Sequence, residues 1–244
     1  MPHVLVTGAS GGIGSAICAV LAARGCAVTL HYQADAPGAR RALAGLAGGG
    51  HAVVQGDLGD PAAIERLWRE ASARAPINAL VNNAGVFPDH PPLATAYGDW
   101  TAAWRRTLSV NLEGAAHLSY WAARAMAQQG GGRIVSISSR AAFRGELTAP
   151  AYAASKAGLN AFTQSLAKAL APRHVYAFVV APGWVATERV AASISNPAVI
   201  ADQPLGRVAS PQEIAQVAAF CALDAPASMT GAVIDVNGAS YLRT

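Results

Sequence analysis

His3-Val4-Leu5-Val6-Thr7 is a short apolar run rich in β-branched residues, and Gly8-Ala9-Ser10-Gly11-Gly12-Ile13-Gly14 follows it at once. Ile13, Ala16, Ile17, Val20 and Leu21 then recur at helical spacing. A strand, a glycine-rich turn and a helix thus stand in immediate succession. Glycines let the backbone turn tightly and approach a diphosphate, and a helix start offers unpaired N–H groups at the positive end of its dipole. The segment reads as the opening of a dinucleotide-binding βαβ unit. The competing reading is a turn that merely joins a strand to a helix, and the rest of the chain decides between them.

Further strand-like runs cover 27–32, 51–55, 79–82, 133–138, 175–181 and 232–236, with helical stretches between them. Most are apolar without clean alternation, as expected where both faces of a sheet are covered. This order predicts an α/β fold, a Rossmann-type doubly wound parallel sheet with helices on both faces, in one domain spanning 1–244. Gly48-Gly49-Gly50 and Gly130-Gly131-Gly132 each precede a strand and read as turns. Two longer loops, Phe87 to Asp99 and Trp184 to Arg207, follow the fourth and sixth strands. Ligands of doubly wound sheets bind beyond the carboxyl ends of the strands, so both loops should border the site. The second is long enough to act as a lid.

Composition removes several alternatives. The 244 residues are 52% hydrophobic, yet no apolar run reaches the ~18 residues of a membrane span. The formal charge is +4, but charged residues are only 13% and the basic ones are scattered. A nucleic-acid footprint needs a clustered stripe, so no nucleic-acid partner is expected. Met1-Pro2-His3 runs straight into a strand without a signal-peptide pattern. Cys18, Cys26 and Cys221 are odd in number and widely spaced, which fits a reducing cytoplasm better than a disulfide framework or a zinc site. No metal is expected, and Cys18 is expected in the core.

Chemistry concentrates in Tyr152-Ala153-Ala154-Ser155-Lys156. On a helix, residues four apart share a face. An ammonium beside a phenol, which normally titrates near pH ~10, favours the phenolate. Such a phenol can pass a proton to or from a substrate oxygen. Ser139 stands thirteen positions upstream.

Together these features resemble the short-chain dehydrogenase/reductase family over nearly the whole chain. Thr7-Gly8-Ala9-Ser10-Gly11-Gly12-Ile13-Gly14 is similar to its glycine loop, Asn82-Asn83-Ala84-Gly85 to its Asn-Asn-Ala-Gly segment, and Pro182-Gly183-Trp184-Val185-Ala186-Thr187 to its Pro-Gly-x-x-x-Thr segment. The resemblance implies Asn111, Ser139, Tyr152 and Lys156 as the catalytic set. Tyr152 is the implied general acid or base, and Lys156 its partner and a ligand of the nicotinamide ribose. Ser139 would bond the substrate oxygen, and Asn111 would hold a water linking Lys156 to solvent. The implied cofactor contacts are Gly8, Ser10, Gly12, Ile13, Gly14, Tyr32, Asp57, Leu58, Asn83, Ala84, Gly85, Tyr152, Lys156, Pro182, Gly183, Val185 and Thr187, with Asp57 near the adenine and Thr187 at the carboxamide.

An acidic residue ending the second strand would select NAD through the ribose 2′-hydroxyl. Tyr32 stands there, so NADP(H) is expected over NAD(H), although Gly11 occupies a position where many NADP-preferring relatives carry a basic residue. The substrate side is expected to include Ser139, Arg140, Arg144, Tyr152 and Trp184, with Phe143, Glu146, Arg189 and Val190 nearby. Arg144 either attracts an anionic group or pairs with Glu146. The chain is similar to the 3-oxoacyl-(acyl carrier protein) reductase branch. That implies a ketone on a small molecule or an acyl carrier as substrate, and a homotetramer or homodimer. The alternatives are a sugar, polyol or secondary-metabolite ketone reductase of the same family, and a nucleotide-sensing binding protein without catalysis.

Overall fold

The computed structural model describes residues 1–243 apart from the side chains of Arg189, Ala192 and Ser193, so Arg189 as a pocket candidate lies outside the described residues. Seven strands are present: β1 (His3–Val6), β2 (Ala27–Tyr32), β3 (Ala52–Gln55), β4 (Ala79–Asn82), β5 (Gly132–Ile137), β6 (Val175–Pro182) and β7 (Val233–Val236). They form one parallel sheet in the order β3-β2-β1-β4-β5-β6-β7. The doubly wound expectation holds, with strand ends within about a residue of those read from the sequence.

The order reverses beside β1, which pairs with β2 on one side and β4 on the other. The glycine loop after β1 and the Asn83–Gly85 turn after β4 therefore leave the sheet side by side. That is the switch point at which such sheets bind ligands.

Alternation along β1 explains the two layers. Val4 and Val6 join a core with Ile17 and Leu21 of α1 (Gly12–Ala23) and Ile214 and Ala218 of α10 (Pro211–Leu223). Leu5 faces the other way, toward Ile64 and Leu67 of α3 (Pro61–Ser72) and Leu118 of α5 (Gly114–Gln128). Each fully buried Leu or Ile contributes about 1.5–3 kcal/mol of transfer free energy. All three cysteines are buried. Burial pushes the Cys221 thiol up to about 11, against the opposing pull of Arg133, so it stays protonated.

Local signals set the helix starts. Asp35 caps α2 (Ala36–Ala44) by accepting from the Gly38 N–H at 2.9 Å. Ser210 and Glu213 form a reciprocal capping box at α10. The remaining helices are α4 (Tyr97–Leu108), α6 (Ala141–Arg144), α7 (Pro150–Leu170), α8 (Ala191–Ile194) and α9 (Pro197–Ala201). The last two lie within the long segment after β6, which is thus built of short helices rather than open loop. Among the described residues, no helix is long and apolar enough to cross a membrane.

Candidate active site

The glycine loop is shaped for close approach. Gly8 and Gly12 have φ of +63° and +56°, in the left-handed region that favours glycine. Asn83 stitches the end of β4 onto this loop: its Nδ2 donates to the Thr7 and Gly8 carbonyls at 2.8 and 3.0 Å. The Thr7 hydroxyl accepts from the Asn83 and Ala84 N–H groups at 2.9 and 3.0 Å. Gly11, which precedes α1, provides no side-chain cap, and the first turn holds no acidic residue. The N–H groups and positive end of α1 thus remain available to an anion. Thr187 lies across the loop, its Cγ2 at 3.4 Å from where a Cβ at Gly12 would sit. A backbone cradle walled by Asn83 and Thr187 fits a dinucleotide diphosphate.

Other expected cofactor residues fall into different settings. Tyr32 ends β2 half-buried, and Ser10 is half-buried beside the start of α2. Asp57 accepts from the Gly59 N–H at 2.8 Å and from Arg106 at 2.9 and 3.1 Å. Burial raises its pKa, but the Gly59 N–H and the Arg106 guanidinium outweigh that and hold the carboxyl below its usual range. The Leu58 side chain is buried in the core with Ile64 and Leu67 of α3 and Leu118 of α5, which leaves its main chain to meet a ligand. Ile13 likewise packs against the α1 core. Gly183 approaches the Asn237 backbone, and Val185 is buried. The Pro182 carbonyl accepts from the Arg140 N–H at 2.8 Å.

Tyr152 occupies the first turn of α7 and Lys156 the next turn on the same face. The Lys156 Nζ is 5.7 Å from the centre of the Tyr152 ring and donates to the Ile137 carbonyl at 2.8 Å. Phe87 meets the Tyr152 ring edge-on at 4.8 Å. A Cβ built on Gly85 would lie 3.4 Å from Asn111 Oδ1 and 3.6 Å from Lys156 Nζ, so these three residues share one small volume. Asn111 belongs to a π-helical turn, Ser109–Glu113, between α4 and α5. The local widening turns its side chain onto the strand-end loop. It accepts from the Val86 N–H at 2.8 Å, and donates to the Val86 carbonyl at 3.0 Å and the Ser155 hydroxyl at 3.2 Å.

Ser138 and Ser139 separate cleanly. Ser138 is buried and donates to the Lys156 carbonyl at 3.4 Å. Ser139 is half-buried at the end of β5, its hydroxyl accepting from the Ala141 N–H at 3.1 Å.

The arginines converge on Asp202. Of the two alternatives open for Arg144, an anionic group or a pair with Glu146, the Glu146 pair is not formed: Arg144 faces Asp202 at 3.8 Å. Arg140, expected on the substrate side, is buried; it donates to the Ser240 hydroxyl at 2.5 Å and lies 3.7 Å from Asp202. Its guanidinium carbon is 6.0 Å from the centre of the half-buried Trp184 ring. Burial, then the charge of Arg144, lowers its pKa, with Asp202 and Glu146 opposing. Arg140 thus ties the β5 end to the C-terminal tail and to the segment after α9.

Two buried histidines escaped the sequence reading. His31 accepts from the Gly8 N–H at 3.2 Å through Nδ1, and its Nε2 contacts the Gly56 carbonyl at 3.0 Å. His90 anchors the loop after β4. A histidine in a strand or loop carries no sequence pattern that marks such a role.

This geometry has counterparts in known proteins. A 3-oxoacyl-[acyl-carrier-protein] reductase of Escherichia coli is 36% identical over 241 residues, covering 98% of this chain and 96% of the relative. A cis-4-hydroxycyclohexanecarboxylate dehydrogenase of Sinomonas cyclohexanicum is also 36% identical, over 96% of this chain and 94% of its own. The solved structure of a 3-oxoacyl (acyl-carrier-protein) reductase from Agrobacterium tumefaciens with NADP bound superposes with a TM-score of 0.87, at 33% identity, covering 97% of this chain and 93% of that one. The short chain dehydrogenase model matches residues 2–198. A glycine cradle at the switch point, a Tyr-Lys pair on one helix face and these matches place the chain in the short-chain dehydrogenase/reductase family of oxidoreductases.

Proposed function

We propose that this protein catalyses reversible hydride transfer between NADP(H) and a ketone or secondary alcohol, with a 3-oxoacyl thioester as the substrate class. The observation that carries the reading is Tyr152 and Lys156 on one face of α7, with Lys156 beside Gly85 and Asn111 at the switch point.

In this reading the bound nicotinamide supplies or takes up the hydride. Tyr152 gives its phenolic proton to the substrate oxygen as the carbonyl carbon gains hydride, and removes it in the reverse direction. Lys156 stabilises negative charge left on the phenolic oxygen. Ser139 donates to the substrate oxygen and steadies developing charge. Asn111 holds the turn around Gly85 and a route for replacing the proton on Tyr152. Gly8, Gly12 and Gly14 admit the diphosphate, Thr187 contacts the carboxamide, and Trp184 lines the substrate side. The NADP(H) preference is supported by Tyr32 in place of a carboxylate, by Asp35 being engaged as the cap of α2, and by NADP in the Agrobacterium structure.

The exposed Ala157 and Ala161 of α7 and the half-exposed edge strand β7 support a homodimer or homotetramer; Ala167, in contrast, packs inside the subunit. The Sinomonas relative favours a second reading, oxidation of a small cyclic hydroxy acid.

Oxidation of NADPH by a panel of acetoacetyl thioesters, sugars and cyclic ketones tests the assignment. Tyr152→Phe should lower kcat by at least about a hundredfold with cofactor affinity retained, and Lys156→Ala should impair both. A Tyr152→Phe variant that kept most of its turnover would refute the acid–base role. Nucleotide binding without turnover across the panel would favour a sensor.

A further inference from the structure

Helix α7 holds Tyr152 in its first turn, yet its own start provides no cap. The residue before it is Ala149, and no side chain of that turn bonds its leading N–H groups. The missing acceptor comes from 61 residues earlier in the chain. His90 is completely buried, and its Nε2 accepts from the Ala151 N–H at 3.1 Å. Its Nδ1 lies 2.8 Å from the Pro88 carbonyl. A carbonyl only accepts, so Nδ1 carries the proton and Nε2 is left as the acceptor. One neutral tautomer satisfies both bonds.

The surroundings fix this ring in place. The His90 N–H donates to the Thr148 carbonyl at 2.6 Å, and the Thr148 hydroxyl donates to Asp89 at 2.7 Å. Trp100 of α4 packs edge-on against the imidazole at 5.3 Å. Three residues before His90, the same loop delivers Phe87 onto the Tyr152 ring.

We propose that His90 is a positioning residue for Tyr152: a cap supplied from the loop after β4 that locks the first turn of α7 and so sets the phenol between Phe87 and Lys156. The proposal rests on the reading of Tyr152 as the proton donor. First turns of helices fray when their N–H groups lack partners. Misplacement of a reacting group by about 1 Å lowers rates by up to roughly a hundredfold.

Two amide variants separate capping from mere space-filling. In His90→Gln the amide oxygen sits as far from Cβ, in bonds, as Nε2 does, so it can cap Ala151. In His90→Asn the amide reaches only the Nδ1 position; it keeps the Pro88 bond and loses the cap. With an acetoacetyl thioester and NADPH, kcat should fall roughly tenfold in His90→Asn and return to within about twofold in His90→Gln, with NADPH affinity unchanged in both. Deuterium exchange of the Ala151 and Tyr152 amides should accelerate in His90→Asn alone, a readout that needs no substrate. Equal amide exchange in the two variants, or kcat that follows their melting temperatures instead of that exchange, overturns the proposal. Tyr152→Phe run alongside distinguishes the failures. If it stays active, the proton-donor reading falls; if it is inactive while the two His90 variants match each other, only the cap falls.

Discussion

Gly14 gives the sharpest test of the cofactor cradle. A Cβ at this position would lie 2.2 Å from the Gly8 carbonyl oxygen and 2.6 Å from Asn83 Nδ2, well under the 3.0 Å that real Cβ atoms respect. In Gly14→Ala the Gly8 carbonyl must therefore retreat by about 1 Å. That movement breaks the 3.0 Å bond from Asn83 to Gly8. Overpacking costs about 1–3 kcal/mol, and the lost hydrogen bond adds about 1 kcal/mol. The greater helix propensity of alanine returns about 1 kcal/mol. The net is about 1–3 kcal/mol, or a melting temperature lower by roughly 3–9 °C for a chain of this size. Because the displaced carbonyl belongs to the loop that would receive the diphosphate, NADPH affinity should fall by roughly tenfold or more. Gly11→Ala is the control: its Cβ would meet nothing within 4 Å, and its φ of −175° is extended backbone that any residue adopts. Thermal melts and NADPH fluorescence titrations on both variants provide the comparison. If Gly14→Ala bound NADPH as tightly as Gly11→Ala, the cradle would not be held in place as argued.

Two further outcomes follow from buried polar groups. Burial lowers the pKa of His31 from its ordinary 6.5, with the Gly56 carbonyl and Asp57 opposing. The neutral ring is the form that accepts from Gly8, so its contribution to stability is complete above 6.5 and is lost as pH falls below that value. Taking the protein from about pH 7 to 5 should therefore lower its melting temperature, His31 accounting for up to about 2 kcal/mol of the lost stability. His31→Gln, melted over the same range, removes this titration; an identical slope in that variant would remove His31 as the cause. Arg140→Met deletes the guanidinium that holds Ser240 and faces Asp202, and should lower stability by about 1–3 kcal/mol while speeding carboxypeptidase digestion of the C-terminal tail. Unchanged digestion would mean that the tail is held by other contacts, such as the bonds of Arg243 to Asp235 and Val233.

The parts that the sequence made legible are those written by local rules. The short apolar strand runs, the glycine loop and the four-residue spacing of Tyr152 and Lys156 each depend on residues a few positions apart, and the structure places them as those patterns imply. What escaped depends on partners remote in sequence. Glu146 was the nearest acid to Arg144, yet the chain folds Asp202 against it through the segment after β6. Asn111 stands in a π-helical turn, for which no side-chain pattern exists, and only that turn directs it onto Val86. The start of α7 shows why this matters for chemistry. Pro150 at the first helical position marks where α7 begins, but with alanine at the cap position no neighbouring side chain accepts from its leading N–H groups. A helix whose own cap were sufficient would form independently of the loop after β4. Under the proposed role of His90, the Ala149 carbonyl closes the first turn locally, and the Ala151 N–H gains its acceptor only when that loop is in place. The arrangement couples the loop after β4 to the geometry of Tyr152, so loss of the Thr148 hydroxyl that holds Asp89, in Thr148→Val, should lower kcat in the same direction as His90→Asn, although neither side chain bonds Tyr152.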